Sequence, residues 1–106
     1  MSFEAIISGA IPSYKIAENE AYLAFLEKAP LAMGHIVVIP KEKSESIFDM
    51  EDRALSSLHI FAKEVALKLE AAIPCQRIGM AVIGLKVAYA HIHLIPLQTV
   101  EDINFT

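Results

Sequence analysis

Two histidines separated by one residue, His91 and His93, are the side chains in this sequence best suited to chemistry. They lie in a run that alternates polar with small or apolar residues, and an alternation of period two is typical of a strand. Side chains two residues apart on a strand point to the same face, so Tyr89 should project with both histidines. The intervening residues should face the core: Ala90, Ile92 and Leu94.

Imidazoles titrate near neutral pH, so two of them held side by side can serve as nucleophile, acid, base or metal ligands. The same pattern also occurs on a polar, solvated strand face that has no function. The rest of the chain is therefore needed to choose between these interpretations.

Length and composition indicate one domain, spanning residues 1–106, with a single core. The apolar fraction of 55% is high for a soluble protein and favours a buried subunit interface. The net charge is -4 with no basic stripe, which argues against nucleic acid as a partner. No apolar run is long enough to span a bilayer and residues 1–13 do not resemble a secretory signal. We therefore expect a cytoplasmic protein with no membrane partner.

The single cysteine, Cys75, cannot form an internal disulfide and excludes a cysteine-rich zinc module. Its position after a proline and far from the histidines is typical of an ordinary small apolar residue.

Hydrophobic patterning predicts an order of hairpin, strand, long helix and hairpin. A short helical turn over residues 3–8 should end at Gly9. Alternating segments predict strands over residues 14–17, 21–26, 35–40, 77–83 and 87–96, the last two joined by a turn at 84–86.

Between the two hairpins the spacing predicts an amphipathic helix that runs to residue 72, because Pro74 prevents continuation. Asp49 is the expected N-cap, with Asp52 as its capping-box partner. The apolar face should consist of Leu55, Leu58, Ala62, Val65 and Leu69.

Strands joined by tight turns must be antiparallel, so these elements predict an α+β fold of two layers. It would contain an antiparallel sheet of about five strands, one long helix on one face and a short N-terminal helix. The other face or one edge would be left bare, which is consistent with a dimer.

Four pieces of the chain resemble the histidine triad (HIT) family of nucleotide hydrolases and transferases, and the match covers nearly the full length. The pieces are Ile7-Ser8-Gly9 with Ile11-Pro12-Ser13, Leu23-Ala24-Phe25-Leu26, Gly34-His35-Ile36-Val37-Val38-Ile39-Pro40-Lys41 and His91-Ile92-His93-Leu94-Ile95-Pro96. The last two are specific in combination, because they flank a helix of the expected length.

The resemblance implies a homodimer that binds a purine nucleotide or another nucleotide-containing small molecule and reacts at its α-phosphorus. His91 matches the family's nucleophile and would form a covalent nucleotidyl intermediate that water hydrolyses. His93 matches the histidine that contacts the phosphate and helps the leaving group. The resemblance places Phe25, Glu27 and His35 at the nucleotide, with Glu27 at the ribose and His35 supporting the site. No metal or other cofactor is required, because hydrogen-bond donors can offset phosphate charge.

The sequence departs from the family pattern in three places. Tyr89 replaces the first histidine of the signature, and a phenol can donate to phosphate but carries no positive charge at neutral pH. Glu27 replaces an aspartate, and residues 81–85 lack the polar side chains of the family's phosphate loop. If the missing charge limits the site, replacing Tyr89 with histidine should raise turnover.

Three functions therefore remain open. The first is hydrolysis of a nucleoside phosphoramidate or a dinucleoside polyphosphate through His91. The second is a nucleotide-binding module with little or no turnover. The third is metal binding by His35, His91 and His93, which is weakened by the lack of a carboxylate or cysteine close by in sequence.

Overall fold

A five-stranded antiparallel sheet is the framework of the part of the chain that the computed structural model describes, residues 2–84 and 87–99. Its strand order is β1-β2-β3-β5-β4. The helices are α1 (Phe3–Ser8) and α2 (Asp52–Ala72), and the strands are β1 (Lys15–Glu18), β2 (Tyr22–Leu26), β3 (Ile36–Pro40), β4 (Arg77–Ala81) and β5 (Ile92–Leu97). The predicted α+β fold, with one long and one short helix, is confirmed.

The middle strand β3 is buried along its whole length. A run of β-branched residues suits this position, because such side chains pack well on a pleated surface that is covered on both sides. β3 pairs antiparallel with β5, and Val37 lies opposite His93. This pairing brings His35, which precedes β3, close to His93 on β5.

Helix α2 covers one face of the sheet with the apolar stripe that the spacing predicted. Leu58, Ala62, Val65 and Leu69 are buried there, and Phe61 joins them. Opposite them the sheet contributes its own apolar side chains, including Ala90, Ile92 and Leu94. Among the described residues, no helix is both long enough and apolar enough to cross a membrane.

The opposite face of the sheet is covered, so of the two alternatives that the sequence left open only a bare edge remains. Helix α1 lies on it, and Phe3 and Ile6 are buried in a second core cluster with Leu23, Phe25 and Tyr89. Ser2 caps this helix, and Gly9 ends it with the left-handed backbone that glycine adopts without a steric penalty. Six helical residues therefore cover part of the face from which the histidines project.

Strand β5 begins at Ile92, several residues later than predicted. Extending the register of β3 with β5 would place Ala90 opposite Pro40, and proline has no N–H for the ladder. Tyr89, Ala90 and His91 therefore lie before the strand. The predicted turn at 84–86 falls partly outside the described residues.

The predicted N-cap of α2 is wrong. Asp49 belongs to a 3₁₀ turn, Ile47–Asp49, which Ser46 caps by accepting from the Phe48 N–H at 3.1 Å. Glu51 occupies the N-cap of α2 without a side-chain capping bond. The helix ends at Ala72, as expected from Pro74.

Candidate active site

His91 and His93 project from the same face of the sheet, which agrees with their spacing of two. Their rings meet edge-on, with centroids 4.9 Å apart. They lie on the α1 side, where the Phe3 ring contacts the His91 ring edge-on at 5.3 Å. This contact with Phe3 could not be predicted from residue spacing, because the two residues are at opposite ends of the chain.

A backbone carbonyl sets the protonation pattern of His91. The His91 Nδ1 lies 2.5 Å from the carbonyl oxygen of Tyr89, which can only accept a hydrogen bond. Nδ1 must therefore carry the proton. A neutral imidazole has one proton, so the lone pair lies on Nε2. The ring is only 6% exposed, so this bond is shielded from competing water.

A second chain of hydrogen bonds sets the proton on His93. The backbone N–H of Leu31 donates to His35 Nδ1 at 3.1 Å, so the neutral His35 ring carries its proton on Nε2. That proton is donated to His93 Nδ1, 2.9 Å away. His93 accepts at Nδ1, so its own proton lies on Nε2. Reasoning from sequence alone missed the Leu31 N–H, because a backbone donor in a loop has no signature in residue type.

Burial keeps His35 and His93 uncharged. It lowers the pKa of His35, an effect that the nearby Glu27 carboxylate partly opposes. Burial, followed by the adjacent His91 and His35, lowers the pKa of His93 from 6.5 to about 4. Near neutral pH His35 and His93 are thus neutral hydrogen-bonding groups. The hydrogen bonds at Nδ1 leave a lone pair on Nε2 of a neutral His91 and a proton on Nε2 of His93.

A cavity of about 640 Å³ opens beside the end of β2. Phe25 and Glu27 belong to its wall, as the resemblance implied for the nucleotide. Among the described residues, the cavity is lined by Ile6, Pro12, Ser13, Tyr14, Phe25, Leu26, Glu27 and Lys28.

The histidines themselves do not line this cavity, and Glu27 is the connection between the two. Its N–H donates to the carbonyl of His35 at 2.9 Å, and its carboxylate accepts from the N–H of Ala29 at 3.3 Å. A ligand atom of Glu27 lies within 4.8 Å of ligand atoms on His35 and His93. The carboxylate therefore lies between the cavity and the imidazoles.

The Tyr89 hydroxyl bonds to backbone carbonyls at the end of β3. Its hydroxyl donates to the carbonyl of Pro40 at 2.6 Å and lies 3.2 Å from the carbonyl of Lys41. The side chain is 3% exposed and its ring packs edge-on against Phe3. Burial, with a smaller effect of the Glu4 carboxylate, raises the pKa of the phenol to about 12. In this structure the hydroxyl therefore donates its proton to the backbone at the end of β3.

The possible metal ligands differ from the predicted set. Within the described part of the chain, the group that comes together is Glu27, His35 and His93, without His91. A neutral histidine that binds a metal through Nε2 keeps its proton on Nδ1 and needs an acceptor there. His35 Nδ1 instead faces the Leu31 N–H, which is a donor. The hydrogen bonds therefore favour a direct hydrogen bond from His35 Nε2 to His93 Nδ1 over a metal ion between these residues.

Comparison with known proteins is consistent with these observations. Residues 8–100 match the model of the HIT domain. An uncharacterized HIT-like protein of Mycoplasma genitalium is 35% identical over 96 residues, covering 86% of this chain and 68% of the relative. The adenosine 5'-monophosphoramidase HNT1 of Saccharomyces cerevisiae is also 35% identical, covering 89% of this chain and 60% of the yeast protein. A crystal structure of a HIT family member from Bacillus subtilis superposes with a TM-score of 0.88 at 28% identity, covering 94% of this chain and 74% of that one.

The lowered pKa of His93 predicts a specific pH dependence of stability. As the pH falls from about 6.5 towards 4, the unfolded chain takes up a proton at this residue and the folded chain does not. As far as His93 is concerned, the free energy of unfolding should therefore be highest above pH 6.5 and decrease as the pH falls from 6.5 to 4. In His93→Asn, which has no such group, thermal unfolding should show a smaller decrease in Tm between pH 7 and pH 4.5. An equal decrease in both proteins would contradict the prediction.

Proposed function

The chain belongs to the HIT domain family, and we propose that it hydrolyses a nucleoside phosphoramidate or a dinucleoside polyphosphate at the α-phosphorus. The observation that carries the proposal is the protonation pattern of the two adjacent imidazoles. The lone pair of His91 is on Nε2, because Nδ1 donates to Tyr89, and the proton of His93 is on Nε2, because Nδ1 accepts from His35. Two relatives, from Saccharomyces cerevisiae and Schizosaccharomyces pombe, are named adenosine 5'-monophosphoramidases.

In the proposed reaction the Nε2 lone pair of His91 attacks the α-phosphorus, and the bond from phosphorus to the leaving nitrogen or oxygen breaks. The nucleotidyl ring then carries a positive charge, which the hydrogen bond from Nδ1 to the Tyr89 carbonyl stabilises. Water attacks the same phosphorus in the second step, and the bond from phosphorus to His91 Nε2 breaks, so that its electron pair returns to that nitrogen. The attacking water releases a proton to solvent, and His91 is back in its starting tautomer. The leaving group takes its proton from solvent.

His93 would act as a neutral hydrogen-bond donor in this scheme. Because its pKa is low, the His93 ring is uncharged at neutral pH. Its Nε2–H would therefore donate a hydrogen bond to a phosphate oxygen or to the leaving atom without contributing a positive charge. His35 would hold that tautomer through the bond from its own Nε2. We therefore assign His35 a supporting role rather than direct contact with the reacting atoms.

The cavity beside β2 is the proposed nucleoside site. Its volume of about 640 Å³ lies in the range of small-molecule pockets, and Phe25 contributes apolar wall. Glu27 would accept hydrogen bonds from the ribose hydroxyls, since an ionised carboxylate has several acceptor positions. Its proximity to His35 and His93 would bring the phosphate of the same nucleotide to the imidazoles.

A nucleotide-binding module with little turnover is the second candidate, and a specific observation favours it. Burial leaves His35 and His93 neutral, and the Tyr89 hydroxyl already donates to the Pro40 carbonyl. The positive charge available to offset a phosphate is therefore small, which would slow the chemical step more than binding.

We also propose that the protein is a homodimer. Ile60 and Leu67, one heptad apart on α2, are 59% and 58% exposed. Met80, on the edge strand β4, is 46% exposed. Exposed apolar side chains on a helix and on a neighbouring sheet edge are typical of a subunit interface.

The reaction is tested by mass spectrometry after mixing the protein with adenosine 5'-phosphoramidate. The wild type should show a transient nucleotidyl adduct on His91 and release adenosine monophosphate. His91→Ala should show no adduct and lose turnover on the order of 1,000-fold or more, because no other group supplies the nucleophile. The control is His59→Ala on α2, whose ring bonds only locally to the Leu55 carbonyl and which should retain turnover.

Tight binding of the nucleotide without adduct or turnover in the wild type would support the binding module instead. Turnover in His91→Ala equal to the wild type would rule out His91 as the nucleophile.

The ribose contact is tested with Glu27→Gln. Exchange of a charged acceptor for a neutral amide should raise KM about tenfold with little change in kcat, because it weakens charge-assisted hydrogen bonds. The preference for ribonucleotide over 2'-deoxyribonucleotide substrate should fall as well. Glu20→Gln, in the exposed turn after β1, is the control and should behave as wild type. An unchanged sugar preference in Glu27→Gln would remove this carboxylate from the ribose site.

The dimer is tested by sedimentation velocity. Replacing both Ile60 and Leu67 with lysine should convert a dimer to a monomer, since burying two charges in an apolar interface is costly. The control is Phe48→Lys, because Phe48 is 90% exposed but belongs to the 3₁₀ turn that precedes α2 and not to the helix itself. A monomeric wild type, or a double variant that remains dimeric, would contradict the proposed interface.

A further inference from the structure

The segment that carries the nucleophile is held by contacts outside the sheet ladder. His91 precedes β5, so no strand pairing fixes it. The Ala90 N–H donates to the carbonyl of Ser44 at 2.6 Å, and the Tyr89 hydroxyl donates to the carbonyl of Pro40 at 2.6 Å. Both acceptors lie where β3 ends and the chain leaves the sheet. The position of His91 therefore depends on a pair of attachments to this one place.

Tyr89 makes two hydrogen bonds that bear on this segment, one through its side-chain hydroxyl and one through its backbone carbonyl. Its hydroxyl is attached to Pro40, and its carbonyl accepts the Nδ1 proton of His91. The aromatic ring between these groups is 3% exposed and is packed against Phe3, which also contacts the His91 ring. A rigid side chain attached at its tip thus limits where its own carbonyl can move.

We propose that Tyr89 is a positioning residue for His91: attachment of its hydroxyl to Pro40 holds the carbonyl that keeps the His91 proton on Nδ1. The proposal rests on the proposed function for its kinetic consequence, but not for the protonation pattern itself. In water a neutral histidine favours the proton on Nε2, the tautomer that has no lone pair at the attacking nitrogen. The Tyr89 carbonyl must therefore stabilise the less favoured Nδ1–H tautomer of His91. If the carbonyl were displaced, the ring would return towards the Nε2–H tautomer.

Tyr89→Phe removes the hydroxyl and leaves the packed ring. We expect two-bond nitrogen–proton NMR spectra, recorded at pH 8.5, to show the His91 proton on Nδ1 in the wild type. In Tyr89→Phe the pattern should change to a mixture of the two tautomers. With adenosine 5'-phosphoramidate, kcat should fall roughly ten- to a hundredfold while KM changes little, because the bound nucleotide is not contacted by this hydroxyl.

Tyr22→Phe is the matched control. The Tyr22 hydroxyl also donates to a backbone carbonyl, that of Ala54 at 3.1 Å, but on the α2 side of the sheet. It should lower Tm to a similar extent and leave the His91 tautomer and kcat unchanged. An equal tautomer shift in both variants would reveal general loosening and overturn the proposal.

Tyr89→His separates this role from the missing charge suggested by the sequence. Imidazole is shorter than phenol and cannot reach the Pro40 carbonyl in the same way, so a positioning role predicts lower turnover and a shifted His91 tautomer. Higher turnover with the proton still on Nδ1 would overturn the proposal, as would an unchanged tautomer in Tyr89→Phe. If the wild type shows no turnover, the proposed function fails and the NMR comparison still decides the role of Tyr89.

Discussion

The hydrogen bond from His91 Nδ1 to the Tyr89 carbonyl is the interaction on which the site depends. A neutral imidazole distributes one proton over two nitrogens, and only a partner of fixed polarity determines which nitrogen holds it. A carbonyl fixes one ring, and the Leu31 N–H, acting through His35, fixes the other. Backbone groups therefore give two chemically identical side chains opposite properties at Nε2. This difference does not require a charged residue or a metal ion next to either ring.

Neutral histidines have a cost and a benefit in such a site. Burial between two layers disfavours the charged form, which lowers the pKa of His93 and of His35. The benefit is that a neutral ring needs no counter-ion, so it can lie in a buried part of the structure. The cost is a smaller electrostatic attraction for phosphate. Glu27, at the boundary of the cavity, adds negative charge to this balance rather than offsetting it.

Most of the fold could be predicted from sequence because its signals are periodic. A spacing of two put His91 and His93 on one face, and spacings of three and four defined the buried stripe of α2. The errors occurred where a single residue interrupts a pattern. Pro40 prevents the β3 ladder from extending to Ala90, and Ser46 starts a 3₁₀ turn that displaces the expected cap at Asp49. Neither effect can be read from alternation alone.

The site was less predictable than the fold, and Tyr89 shows why. Its place in the sequence relates it to the histidines, and alternation puts it on their face of the sheet. What its hydroxyl does depends on where Pro40 lies, and the pairing of β3 with both of its neighbouring strands determines that. Loss of a histidine at this position need not be loss of function. Under the proposed function, a phenol that reaches a backbone carbonyl would supply a fixed position for the neighbouring His91 in place of a charge near the phosphate. Charge and position both lower a reaction barrier, by different means, and a chain can exchange one for the other.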